Sequence, residues 1–194
     1  GREEKKLKMR AVFIGTVEVS WHSLQALIEL CSVVGIYTMP KEKSEDISAY
    51  ADLNDLGEKH GIPVYQVTEI NTDQVVRQIR EMNPDIIVCI GWPRLVKEPI
   101  LSLPPKGCVG MHSSLLPKYR GAAPINWAII NGETETGVTT IKMDTGLDTG
   151  DILLTSKVSI KREDDAQTLH DILACKGASL MLETLKQLDA GTLK

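Results

Sequence analysis

The sequence predicts an α/β fold: an open, mainly parallel sheet with helices on both faces. Two patterns carry that expectation. Short apolar runs alternate with segments of helical period up to residue 112, and strands alternating with helices of this length imply right-handed βαβ crossovers. Beyond residue 112 the character changes to strands rich in Thr, Val and Ile, followed by one long closing helix. At 194 residues, 42% hydrophobic and 25% charged, the chain has the composition of a globular domain with an ordinary core.

The elements follow in order. Arg10–Gly15 is a buried-strand candidate, and Val19–Leu30 spaces Leu24, Leu27, Ile28 and Leu30 as one face of a helix. Val33–Thr38 reads as the second strand. A helix is expected over Ile47–His60, stopping at Gly61. Pro63–Val67 is a short strand, and Thr72–Met82 is a helix with Thr72 as its N-cap. Asp85–Ile90 is the most apolar strand and breaks at Gly91-Trp92-Pro93. A helical stretch near Leu95–Ser102 leads to a strand over Gly107–His112. Gly137–Met143 and Asp151–Ile160 are strand-like, and Ala166–Leu188 repeats apolar residues at helical spacing. With no internal repeat and no long linker, residues 9–194 are expected to form one domain. Residues 1–8 are expected to be a solvated leader or a cloning remnant ahead of Met9.

Composition excludes several functions. The formal net charge is −4, and the first ten residues hold five basic and two acidic side chains, so the remainder is more acidic than the whole. Extensive contact with a polyphosphate is therefore disfavoured. No apolar run approaches the ~20 residues of a membrane span, and the start lacks the apolar centre of a signal peptide, so a cytoplasmic protein is expected. Cys31, Cys89, Cys108 and Cys175 lie far apart and form no C-x-x-C, which argues against zinc and against a disulfide framework. Neither G-x-G-x-x-G nor G-x-x-x-x-G-K-[ST] is present, and Ser113 and Ser114 are not in G-x-S-x-G.

In an open parallel sheet, ligands bind beyond the carboxyl ends of the strands. Three segments are expected at that edge: Gly91–Arg94, Met111-His112 with its loop, and Asp144–Asp151. His112 ends a strand and enters H-S-S-L-L-P-K-Y-R-G, where an imidazole can donate and take a proton in one turnover. Asp144, Asp148 and Asp151 stand in D-T-G-L-D-T-G-D. A carboxylate paired with the histidine ranks first for this cluster. A tight turn ranks second, and a cation site last, because the spacing does not fit D-x-[DN]-x-[DN]-G. His22, His60 and His170 lie in helical stretches without partners at ligand spacing and are expected to be ordinary surface or interface histidines.

The segments H-S-S-L-L-P-K-Y-R-G-A-A-P-I (112–125) and M-D-T-G-L-D-T-G-D (143–151) resemble the formyltetrahydrofolate-dependent formyltransferases. That family includes methionyl-tRNA formyltransferase, glycinamide ribonucleotide transformylase, formyltetrahydrofolate hydrolase and the sugar-nucleotide N-formyltransferases. The resemblance implies a Rossmann-like catalytic domain from Met9 onward. It also implies an enzyme of one-carbon metabolism that passes a formyl group from 10-formyltetrahydrofolate to an amine, without a metal. Its Asn-x-His pair and distant Asp fall on Gly110, His112 and Asp148. Glycine stands where the family carries the amide, which leaves open another donor such as Asn126, a different acceptor chemistry, or a non-catalytic folate-binding relative. The pterin is expected along Ile90, Gly91, Trp92, Pro93, Asp144 and Gly146, and the acceptor near Ser114, Arg120 and Asn126.

For the acceptor, the segment G-A-A-P-I-N-W-A-I-I-N-G-E (121–133) looks most like the sugar-nucleotide N-formyltransferases. Methionyl-tRNA formyltransferases add a basic insertion after the second strand and a C-terminal β-barrel domain. Here the corresponding loop, M-P-K-E-K-S-E-D (39–46), carries at least as many acidic as basic side chains, and the sequence runs to Lys194. The reading drawn is a small-molecule amine, an amino sugar on a nucleotide. A methionyl-tRNA formyltransferase core is the alternative, with tRNA the less favoured partner, no membrane contact, and a homodimer left open.

Overall fold

A computed structural model describes residues 5–193. The chain divides into two compact units, one up to Val109 and one from Gly110 onward. The first unit carries β1 (Arg10–Ile14), α1 (Glu18–Leu30), β2 (Ser32–Thr38), α2 (Asn54–His60), β3 (Val64–Gln66), α3 (Asp73–Met82), β4 (Ile86–Cys89) and α4 (Glu98–Leu101). Strand β5 (Cys108–His112) crosses into the second unit, which continues with α5 (Pro124–Ile130), β6 (Glu135–Lys142), β7 (Asp151–Ser159) and α6 (Ala166–Ala190).

Hydrogen bonding runs β3-β2-β1-β4-β5 in the first unit and β5-β6-β7 in the second, seven strands in all. The pairs β1–β2, β1–β4 and β2–β3 are parallel, and β6–β7 is antiparallel. The expected mainly parallel α/β sheet is present. β1 and β4 are its driest strands: Ala11, Val12, Phe13, Ile14, Ile86, Ile87 and Val88 are all fully buried. Continuous apolar runs of this kind belong to strands covered on both faces. In the second unit, Ile125, Val158, Leu169 and Leu173 form a core cluster that joins α5, β7 and α6.

The helix ends follow local chemistry. Thr72 caps α3 by accepting from Val75 N at 3.2 Å, and Asp165 caps α6 by accepting from Thr168 N at 2.8 Å. Gly61 ends α2 at φ +65°, the left-handed conformation that glycine reaches without a Cβ clash. Cys31, Cys89 and Cys108 are buried free thiols and Cys175 is exposed. Burial pushes Cys89 up to about 12, which makes it inert as a nucleophile.

Two expected elements differ from the fold, and one element present was not expected. The helix proposed over 47–60 forms only from Asn54. Upstream, Glu18 N donates to Ala49 O at 2.9 Å and Ala51 N to Thr16 O at 3.0 Å, so that backbone serves the loop after β1 instead. The helix near 95–102 shrinks to Glu98–Leu101 because the Asn71 side chain binds Leu95 O at 2.9 Å and Lys97 N at 2.8 Å. Helix α5 was not anticipated, although Pro124 at its first turn is a standard start signal. Of the supposed leader, residues 1–4 lie outside the described residues, while Leu7 N donates to Leu30 O at 2.7 Å.

Ser20 knits the sheet edge of the first unit. Its fully buried hydroxyl accepts from Thr16 N and Val17 N, both at 3.1 Å, and donates to Ile90 O at 2.5 Å. This packing needs glycine on either side: a Cβ at Gly15 would stand 2.2 Å from Ile90 O, and one at Gly91 would stand 2.4 Å from Ser20 Oγ. Ser20→Ala removes a hydroxyl that bonds three backbone groups at once, of which Thr16 N alone keeps a second acceptor, Gly91 O at 3.2 Å. The expected cost is about 2–4 kcal/mol, read as a lower midpoint in urea unfolding.

Candidate active site

The site in the second unit is built on the end of β5 and two loops. His112 is the last residue of β5, and residues 113–121 fold back on it through a ladder of side-chain bonds. Thr139 of β6 is fully buried; its hydroxyl donates to Ser114 O at 2.7 Å and accepts from Leu116 N at 3.2 Å. Ser114 Oγ donates to Lys118 O at 2.7 Å. These bonds fix the loop, so the next carbonyl, that of Tyr119, lies 2.7 Å from His112 Nε2.

The other ring nitrogen faces a carboxylate. His112 Nδ1 is 3.4 Å from Asp148 Oδ2, with side-chain exposures of 11% and 20%. The same Asp148 oxygen accepts from Gly121 N at 2.9 Å, which ties the two loops together. Asp148 sits at φ +51°, a conformation Asp tolerates better than most residues. Asp144 does different work. It accepts from Thr149 Oγ1 at 2.6 Å and Gly146 N at 3.0 Å, closing its own turn. Those bonds, the Thr149 one first, hold its carboxyl below the usual carboxylate range. Asp151 is exposed and opens β7 opposite Lys142. Of the three carboxylates, the structure brings Asp148 to the histidine and leaves Asp144 as turn chemistry.

The other anticipated residues fall variously. Ser114, expected near the acceptor, is fully buried and turned into its own loop, its hydroxyl donating to Lys118 O. Arg120 and Asn126 are exposed, the latter on α5. Gly110 is buried in β5, two residues before His112 and hence on the same face of the strand. In the first unit, Ile90 O is bound by Ser20, Gly91 O accepts from Thr16 N at 3.2 Å, and Pro93 is exposed. Trp92 Nε1 is buried without a hydrogen-bond partner among the described residues. Gly146 packs so closely that a Cβ there would stand 2.1 Å from Thr149 Oγ1. His170 Nδ1 lies 3.6 Å from Asp171, and His22 and His60 are exposed.

Thr139, Tyr119 and Glu133 were missed as contributors. Tyr119 lies inside the recognised motif, but nothing in its sequence position says that its backbone carbonyl meets the imidazole.

The mainly parallel α/β sheet is the fold the comparisons with known proteins return. Residues 24–185 match the family model described as formyl transferase, and the chain belongs to that family. Among curated proteins it is 47% identical to the methionyl-tRNA formyltransferase of Caldanaerobacter subterraneus subsp. tengcongensis, over 95% of this chain and 61% of the relative. It is 45% identical to that of Geobacter metallireducens, over 94% and 60%. The chain thus spans about 60% of the length of these relatives. Among solved structures, phosphoribosylglycinamide formyltransferase from Bacillus halodurans superposes with a TM-score of 0.79 at 27% identity, covering 92% of this chain and 94% of that one. A sugar 3N-formyl transferase gives 0.70 at 21% identity, covering 97% and 65%, which is likeness of fold alone. No helix among the described residues is long and apolar enough to cross a membrane.

Proposed function

We propose that this chain is the catalytic core of a methionyl-tRNA formyltransferase, taking the formyl group of 10-formyltetrahydrofolate to the amine of an aminoacylated tRNA. The observation that carries the chemistry is the His112–Asp148 pair at 3.4 Å. The formyl donor supplies an acyl carbon open to attack by an amine. Over the transfer the amine gives up one proton and the folate nitrogen gains one, so a single imidazole can carry the proton between them. His112 is that group, and Asp148 balances its charge while the ring is protonated. Proton transfer of this kind contributes about 10²–10⁴-fold.

In the first unit, Trp92 carries a buried indole N–H without a hydrogen-bond partner among the described residues. The backbone around Ile90 and Gly91 is held still by Ser20. Gly110 brings no amide to the strand face it shares with His112, so His112 bears more of the charge that develops on the formyl oxygen.

The acceptor reading replaces the amino sugar anticipated from residues 121–133. Support for methionyl-tRNA is 43–47% identity across 94–96% of this chain. Support for an amino sugar is a fold likeness at 21%. Overall acidity is a weak guide here, because phosphate contact depends on local cations. Lys118, with 65% of its side chain exposed, and the exposed Arg120 stand on the loop that holds His112.

The test incubates the full-length protein and 10-formyltetrahydrofolate with initiator methionyl-tRNA, glycinamide ribonucleotide or a dTDP-amino sugar. Formylation of the tRNA should exceed the others at least 10²-fold in kcat/KM, and a faster reaction with the amino sugar would overturn the reading. Arg120→Ala should weaken tRNA binding and reduce its log–log salt slope by about 1, as the loss of one phosphate contact requires.

A further inference from the structure

The Tyr119 carbonyl can only accept a hydrogen bond, so Nε2 of His112 must carry hydrogen to satisfy the 2.7 Å contact. The neutral ring held this way is the Nε2–H tautomer, with its lone pair on Nδ1. The Nδ1–Asp148 separation of 3.4 Å lies beyond the ~2.7–3.2 Å of a good N–H···O bond. One nitrogen is therefore anchored and the other loosely engaged. The anchor itself depends on an unfavourable backbone, because Tyr119 sits at φ +57°, which a bulky residue rarely adopts.

The end of α5 supplies what holds it. The Tyr119 hydroxyl donates to Glu133 Oε1 at 2.7 Å and accepts from Asn131 Nδ2 at 3.0 Å, and Lys118 Nζ lies 3.3 Å from the same Glu133 oxygen. Glu133 is fixed in turn by its N–H, which donates to Ala128 O at 3.0 Å. The bonds from Tyr119 and Lys118 hold the Glu133 carboxyl below the usual range, so the phenol meets a charged acceptor, the stronger kind.

We infer that Glu133 is a positioning residue for His112: through the Tyr119 hydroxyl it keeps the Tyr119 carbonyl on Nε2, which makes Nδ1 the nitrogen that exchanges the proton in formyl transfer. The inference rests on formyl transfer being this chain's reaction. Nδ1 takes the proton that the attacking amine loses and passes it to the folate nitrogen within each turnover, while Nε2–H stays bonded throughout, so the ring returns to its starting tautomer.

The experiment combines kinetics with the ¹⁵N spectrum of the histidine-labelled protein at a pH where the ring is neutral. Glu133→Ala and Tyr119→Phe should each lower kcat about 10-fold, the scale of a small misplacement of a catalytic group, with KM for the folate donor unchanged within twofold. Both should convert a predominantly Nε2–H ring into a mixture of tautomers. Glu133→Gln, which can still accept from the phenol, should restore the Nε2–H tautomer and most of kcat. A fall in kcat without a change of tautomer would make Glu133 merely structural and overturn the inference. So would a tautomer change with full kcat, or wild-type behaviour in both variants. If no variant and no wild-type protein transfers formyl to any acceptor, the functional reading fails, while the tautomer spectrum still decides whether the clamp holds the ring. Tyr119→Phe and Glu133→Gln keep the question open to measurement should Glu133→Ala not fold.

Discussion

Asp148→Asn should lower the rate of formyl transfer about 10³-fold, within the range that loss of general acid–base function spans. The asparagine is nearly isosteric, and its side-chain oxygen can keep the bond from Gly121 N that now measures 2.9 Å. What it removes is the negative charge beside Nδ1. Once the ring takes up a proton, the charge on the ring has no counterpart. The loss belongs in kcat, measured by single turnover with saturating donor, and donor affinity should change no more than a fewfold. Asp144→Asn is the control. Its carboxylate closes a turn through Thr149 and Gly146 rather than touching the ring, so transfer should fall less than threefold. An Asp148→Asn enzyme that keeps a tenth of the wild-type rate would remove Asp148 from the mechanism. Gly110→Asn probes the same face of β5 from the opposite direction. An amide placed there would add a donor of the kind worth about 10²–10³ in other enzymes, and a gain in kcat is expected.

The sequence reading and the fold agree where local signals were unambiguous. The apolar run Ile86–Ile90 is a buried strand with its break at Gly91, Thr72 caps its helix, and the long period after Ala166 is one helix. Agreement ends where side chains or backbone from distant segments decide. Residues 95–97 have helical spacing, but the amide of Asn71 captures their backbone from 24 residues away. Residues 47–53 are drawn off by the loop after β1, a competition no window of sequence displays. In the site, the motifs brought His112 and Asp148 into view, and their pairing is present at 3.4 Å. They could not reveal that Ser114 turns inward, since serine beside a histidine reads equally well as a ligand contact or a loop brace. Nor could they show the Tyr119 carbonyl on Nε2, because every residue has a carbonyl and only the fold chooses which one meets the imidazole. The acceptor reading rested on a weaker signal for a related reason. The charge balance of the loop at 39–46 is a sum, whereas recognition of a polyanion depends on where individual cations stand.

Phe13→Ala should be the most destabilising single truncation in the first unit, by about 3–5 kcal/mol. Phe13 lies on β1 and is fully buried. It stands in register with Ile36 of β2 and with Val88 of β4, so parallel strands flank it on both sides. Removing the ring takes away a large apolar area and leaves a space that the flanking backbones, tied by ladder bonds, cannot close. The cost therefore includes the cavity as well as the lost transfer free energy. Ile79→Val, which removes one methylene from another fully buried position, should cost only ~0.5–1.5 kcal/mol and calibrates the scale. Urea unfolding at an unchanged m-value should show the difference as a lower midpoint. In a chain of this size each kcal/mol corresponds to about 2–4 °C, so the thermal midpoint of Phe13→Ala should drop by roughly 6–20 °C. A loss below 1 kcal/mol would mean that β1 and its neighbours move together to refill the space, and that the central strands are not the rigid platform on which Ser20 holds Ile90.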